Sequence, residues 1–169
     1  MRQAGKPETA EREIMIFKAK KEDAKTVAGL AIKMWTNHTI EELTADFEKI
    51  IENENSAVLL MTAGPKPIGF AQCQLRHDYV EGTESSPVGY LEGIYISEDY
   101  RRQGCARKLL GKCQVWAKEQ GCTEFASDCE LDNESSYKFH LKMGFVEANR
   151  IICFTKPLYP QSPENLGDL

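Results

Sequence analysis

Val88-Gly89-Tyr90-Leu91-Glu92-Gly93-Ile94-Tyr95-Ile96, followed a few residues later by Arg101-Arg102-Gln103-Gly104-Cys105-Ala106, decides how this chain reads. The first block is an apolar, aromatic run with the signature of a strand. Downstream, Ala106, Leu109, Leu110, Cys113, Trp116 and Ala117 recur at helical spacing. The basic, glycine-containing turn between strand and helix therefore opens a helix. Backbone N–H groups at such an opening lack intrahelical partners, and the helix dipole places its positive end there. The turn is a site for phosphate.

The flanking sequence supplies the rest of one domain. Ile14, Ile16 and Phe17 predict a first strand, and a helix follows over Asp23 to Trp35 with Val27, Leu30, Ala31 and Met34 on one face. Thr39-Ile40-Glu41-Glu42 has the form of a capping box and opens a second helix with Ile40, Leu43, Phe47, Ile50 and Ile51 inward. Trp35 then falls in the link between two helices. Ala57–Met61 and Ile68–Gln74 read as a hairpin around Gly64-Pro65-Lys66-Pro67, and a polar loop runs from His77 to Pro87. After the long helix, which Gly121 stops, come a strand over Glu124–Asp128, a short helix over Ser135–Met143, and a final strand or pair of strands over Phe145–Phe154. The order β-α-α-β-β-β-α-β-α-β indicates an α/β (α+β) fold: one mixed, mostly antiparallel sheet flanked by about four helices. We expect a flexible extension over residues 1–13, the domain over 14–156, and an irregular, proline-containing tail over 157–169.

Bulk properties narrow the classes. The 169 residues suit a single core, and 26 acidic against 21 basic side chains argue against a nucleic-acid binder while suiting a cationic partner. The six cysteines form no C-x-x-C pair and the three histidines no ligand spacing, so we expect reduced thiols, a cytoplasmic location and no metal. No signal peptide or membrane span is legible.

The phosphate turn is neither a P-loop nor a dinucleotide fingerprint, because it holds only Gly104 and lies mid-chain. It does resemble the acetyl-coenzyme A signature of the GCN5-related N-acetyltransferases, Arg/Gln-x-x-Gly-x-Gly/Ala, matched by Arg101 through Ala106. A second block, Asn133, Ser136, Phe139, His140, Gly144 and Phe145, is similar to that family's Asn-x-x-Ala-x-x-Leu/Phe-Tyr-x-x-x-Gly-Phe. The resemblance covers residues 14–155. It implies acetyl-coenzyme A as co-substrate, with Arg101, Arg102, Gln103, Gly104, Cys105 and Ala106 at the pyrophosphate and Ile94, Tyr95 and Ile96 along the pantetheine arm. Asn133, Ser136 and His140 stand on its other side. His140 departs from the family's tyrosine, which is assigned to protonate the departing thiolate. An imidazole, with an ordinary pKa of about 6.5 against about 8.5 for a thiol, is able to do the same.

Several strings are closer to one subgroup. Arg76-His77-Asp78-Tyr79-Val80-Glu81-Gly82, Ser85-Ser86-Pro87, Tyr90 to Ile94, Ala126-Ser127-Asp128 and Asn149 to Phe154 resemble bacterial aminoglycoside 6'-N-acetyltransferases. That resemblance implies that Trp35, Tyr79, Glu92 and Asp128 contact a polycationic drug, that the chain is a homodimer, and that the activity confers resistance. Carboxylates suit such a ligand, and Asp78, Glu81 and Glu84 add to the acidic loop. A protonated amine must lose a proton before it attacks, so Glu92 or Asp128 is the candidate base, directly or through water. No base is paired with Cys105 or Cys129, which favours direct attack in a ternary complex. Two alternatives stay open: the same fold acting on a polyamine or a protein N-terminus, and an acyl-coenzyme A sensor without catalysis.

Overall fold

The computed structural model describes residues 13–158. Five strands form one sheet in the order β1-β2-β3-β4-β5: β1 (Ile14–Lys18), β2 (Ser56–Ala63), β3 (Lys66–Arg76), β4 (Val88–Ile96) and β5 (Phe125–Ser127). The first four pair antiparallel, and β5 joins β4 in parallel. The helices are α1 (Ala24–Ala31), α2 (Ile40–Glu52), α3 (Cys105–Glu119) and α4 (Glu134–Met143). The expected architecture is therefore present.

The sheet is covered on both faces. On one, Val27, Leu30 and Ala31 of α1 and Leu43 and Phe47 of α2 pack on Val58, Leu60 and Phe70. On the other, Leu109, Leu110, Cys113 and Trp116 of α3 pack on Leu59, Met61, Ala71, Cys73 and Leu91. β2 is buried along its whole length, which is why it reads as a continuous apolar run. The capping box of α2 is complete: Glu42 N–H donates to Thr39 Oγ1 at 3.1 Å, and Thr39 N–H donates to Glu42 Oε2 at 2.8 Å.

Three expectations need correction. The helix expected to reach Trp35 ends at Ala31, after a 3-10 turn over Lys21–Asp23, and Met34 lies exposed beyond it. Ile40, the first residue of α2, is also exposed rather than inward. The strand expected over Phe145–Phe154 does not form among the described residues. The segment instead runs toward the loop between β3 and β4, where Asn149 Nδ2 donates to Glu81 Oε1 at 2.9 Å. Val146, Ile151, Ile152 and Phe154 are left facing solvent. The extension over 1–13 and the tail over 157–169 lie almost wholly outside the described residues.

Two irregularities of β4 shape the molecule's clefts. Its pairing with β5 stops at Leu91–Ser127, so residues beyond Leu91 diverge from that neighbour and leave a fork. On its other side Gln72 pairs with Gly93 and Cys73 with Leu91, so Glu92 is the extra residue of a β-bulge. The bulge lets Leu91, Ile94 and Ile96 all meet the α3 face while Tyr95 joins the opposite one.

Candidate active site

Glu92, freed from the ladder by the bulge, enters a cleft of about 300 Å³ lined by Trp35, His38, Leu43, Asp46, Phe47, Ile50 and Gln72. Trp35 is held just past α1, its N–H donating to Ala31 O at 3.0 Å. Its ring stacks against Phe47 (6.1 Å between centroids) and meets Phe70 edge-on (6.0 Å). A Cβ on Gly93 would stand 3.0 Å from Cζ2 of that indole, so glycine at this point lets Trp35 lie against the strand. Trp35 is thus packed and also lines the cleft that Glu92 enters.

Glu92 does not stand alone. Arg76 forks it, with Nη2 3.0 Å from Oε1 and 3.2 Å from Oε2, and Nε 3.3 Å from Oε1. The same guanidinium lies 3.4 Å from the centre of the Tyr90 ring. Tyr90 in turn donates its hydroxyl to Asp128 Oδ1 at 2.5 Å. Burial, and then this bond to the carboxylate, push the Tyr90 phenol well above its ordinary pKa, so it remains a donor. Glu92 and Asp128, far apart in sequence, are therefore joined through Arg76 and Tyr90. In the sequence Arg76 stands within a longer string and shows no role of its own, and Asp46, His38 and Gln72 carry no signal at all.

Tyr79 is outside this cleft, largely exposed, with its hydroxyl donating to Glu81 Oε2 at 2.9 Å. Its loop is pinned nearby: Val80 packs with Val88 and Tyr90, and Glu124 accepts from Glu84 N–H, Ser85 N–H and Ser85 Oγ. Glu81, held by Asn149 and then Tyr79, has its pKa lowered and is committed to these partners rather than to the cleft.

On the far side of the fork, the basic turn takes the expected form. Gly104 caps α3 at φ 78°, in the left-handed region, and Lys108 N–H is 3.0 Å from Gly104 O. The N–H groups of the first helical turn before Lys108 are thus presented outward. Arg102 also adopts positive φ, 59°. Arg101 turns back, Nε donating to Ile96 O at 2.9 Å, and the Gln103 amide donates to Asp99 O at 2.7 Å. These two side chains brace the turn. The Cys105 side chain is in the core and Ala106 packs beside it, so at both positions the backbone N–H is the group available to an anion. Asn133 caps α4, its Oδ1 accepting from Ser136 N–H at 3.0 Å. His140 reaches back to the fork, Nε2 2.9 Å from Ser127 Oγ.

A diphosphate at the α3 N-terminus and an extended arm entering the β4–β5 fork fit this arrangement. A Cβ built on Gly104 would meet nothing within 4 Å, so no protein atom fills the approach. Among the described residues, no group of three His, Cys, Asp or Glu side chains forms a metal site, and no helix is long and apolar enough to cross a membrane.

The model of the acetyltransferase (GNAT) family matches residues 20–145. An aminoglycoside N(6')-acetyltransferase type 1 from Stenotrophomonas maltophilia is 38% identical over 83% of this chain and 91% of its own. One of the same name from Serratia marcescens is 40% identical over 78% and 92%. Among solved structures, AAC(6')-Iy with a bisubstrate analogue, CoA-S-monomethyl-acetylneamine, superposes with a TM-score of 0.82 at 36% identity, covering 86% of this chain and 99% of that one. AAC(6')-Ih from Acinetobacter baumannii superposes at 0.81 with 32% identity, covering 87% and 100%. The likeness extends over most of the chain, the fork and the turn included, and the chain belongs to the acetyltransferase (GNAT) family.

Proposed function

We propose that this protein transfers the acetyl group of acetyl-coenzyme A to the 6'-amine of aminoglycosides, and that this confers resistance to them. The observation that carries the reading is the placement of Trp35 and Glu92 in one cleft, with Asp128 tied to the same network through Tyr90 and Arg76. An apolar wall beside paired carboxylates suits a polyhydroxylated, multiply charged sugar. The relatives named for this activity span most of the chain.

Acetyl-coenzyme A supplies an activated acyl group as a thioester. Residues of β4 beyond Leu91, Glu92 through Ile96, diverge from β5 and offer backbone N–H groups to the acyl oxygen. Ile94, Tyr95 and Ile96 flank the pantetheine arm, and the turn from Arg101 to Ala106 holds the pyrophosphate by its N–H groups. Trp35, Glu92 and Asp128 bind the drug, with Tyr79 as a further contact from the loop outside the cleft. An aliphatic ammonium near pKa 10 costs about 4 kcal/mol to deprotonate at neutral pH. Glu92 has Oε2 carrying a single 3.2 Å contact from Arg76, and that oxygen is the site for the amine or a bridging water. His140, at the fork, is the candidate to protonate the departing sulfur. Attack is direct, in a ternary complex.

The protein acts as a homodimer in the cytoplasm. The apolar side chains exposed along the extended segment after α4, Val146, Ile151, Ile152 and Phe154, support a second copy as their cover. Buried free thiols at Cys73, Cys105, Cys113 and Cys122 suit a reducing compartment.

A panel of amines assayed with acetyl-coenzyme A and thiol detection tests the acceptor. Turnover on kanamycin-type drugs is expected. Brisk turnover on a polyamine or peptide N-terminus with none on the drugs would overturn the assignment, as would cofactor binding with no turnover on any amine.

A further inference from the structure

His140 and Ser127 meet at the fork in a geometry that fixes how a proton is held. His140 Nδ1 lies 2.7 Å from the backbone carbonyl of Ser136. A carbonyl only accepts, so Nδ1 carries hydrogen. The neutral ring therefore turns a lone pair at Nε2 toward Ser127 Oγ, 2.9 Å away. Phe139 and Phe145 flank the imidazole edge-on, at 5.4 and 5.2 Å between centroids, and keep it in this orientation.

The Ser127 hydroxyl has a second partner. Leu91 O, on the strand that leaves the fork, is 3.0 Å from the same Oγ. With the ring neutral, the hydroxyl donates to Nε2. With the ring protonated, Nε2–H donates to Oγ and the hydroxyl turns to Leu91 O. Both protonation states are hydrogen-bonded, so the rotor changes state without stranding either half-buried polar group.

We propose that Ser127 is a proton-relay residue and that His140 acts first as a base through it. This deepens the acetyltransferase reading and rests on it. Acyl transfer forms the C–N bond of an amide and breaks the C–S bond of a thioester. Starting from the bound ammonium the nitrogen loses two protons: one leaves to solvent through the water at Glu92 Oε2 before attack, and the second, released as the C–N bond forms, is matched by the one the sulfur gains. Ser127 Oγ accepts this second proton from nitrogen while passing its own to His140 Nε2. The imidazolium then returns a proton through Oγ to the sulfur, which restores both side chains. The return step runs from imidazolium to thiolate, the direction in which an ordinary imidazole and an ordinary thiol exchange a proton. Glu92 then serves to bind and orient the amine, which suits its fork with Arg76.

Nitrogen-15 NMR of the full chain, without any acceptor, reads the tautomer. His140 protonated on Nδ1, with an Nε2 resonance that moves in Ser127→Ala, is expected; a ring protonated on Nε2 alone in the neutral state would overturn the relay. Steady-state kinetics on whichever amine the protein acetylates supply the second reading. Ser127→Ala should lower kcat by about 100-fold with both KM values nearly unchanged, and Ser127→Thr should recover most of it. An unchanged kcat in Ser127→Ala, or a Ser127→Thr variant that folds and is as slow as Ser127→Ala, would contradict it. The NMR measurement needs no drug, so failure of the relay and failure of the aminoglycoside assignment are separable.

Discussion

The guanidinium carbon of Arg76 lies over the ring of Tyr90, 3.4 Å from its centre, while its nitrogens grip Glu92. One side chain thus faces an aromatic ring and a carboxylate at once. Its planar fork is what allows this; an ammonium would satisfy only one of them. Since Tyr90 also holds Asp128, Arg76 links the cleft acid Glu92 to Asp128 outside the cleft lining.

Arg76→Lys should therefore impair the acceptor side and spare the donor side. We expect kcat/KM for an aminoglycoside to fall by about 10- to 100-fold, with coenzyme A affinity by calorimetry unchanged. Equal loss of both would mean that Arg76 only supports the sheet.

Gly93 is reserved by Trp35. In Gly93→Ala the new Cβ would meet Cζ2 and Cη2 of the indole at 3.0 and 3.3 Å and displace the ring. KM for the drug should rise by about tenfold, a shift of roughly 1.4 kcal/mol, with a change in tryptophan emission. An unaltered KM would remove Trp35 from the drug site.

Gly104 is constrained differently. An added Cβ meets nothing within 4 Å, so the constraint is its φ of +78° rather than crowding by the protein. Gly104→Ala should cost about 1–2 kcal/mol of stability through backbone strain. Coenzyme A should also bind more weakly as the N–H groups reorient. Unchanged coenzyme A affinity would contradict the phosphate assignment.

Glu147 ties the segment after α4 to that helix. Hydrogen bonds from Arg150 and then Tyr137 hold its carboxyl far below the usual 4.5, at about 2. Because the folded value is the lower one, the contact stabilises fully above about 4.5 and is lost as pH falls from there through about 2. Carbon-13 titration of the Glu147 carboxyl should give a midpoint near 2, rising in Arg150→Ala. A midpoint at the ordinary value in the intact protein would show that the contact does not persist in solution.

The strand, turn and helix from Val88 to Glu119 were legible because periodicity, glycine and charge agree there. So was the capping box at Thr39. The segment after α4 was misread for a physical reason. Val146, Ile151, Ile152 and Phe154 have strand-like composition, but composition does not say whether a partner strand lies in the same chain. Trp35, Glu92 and Asp128 were named by resemblance, and the fold links them. The Arg76 fork and the Ser127–His140 contact join residues 16 and 13 positions apart, respectively. Such pairings depend on strand register and the bulge at Glu92, which no local pattern reports.

Locating the acetyl group on the product tests the central assignment most directly. Purified protein, acetyl-coenzyme A and kanamycin should give one amide, at the 6'-nitrogen by two-dimensional NMR, and no product with an analogue bearing a 6'-hydroxyl. Acetylation at another amine, or none on any aminoglycoside while a different amine is consumed, would contradict it.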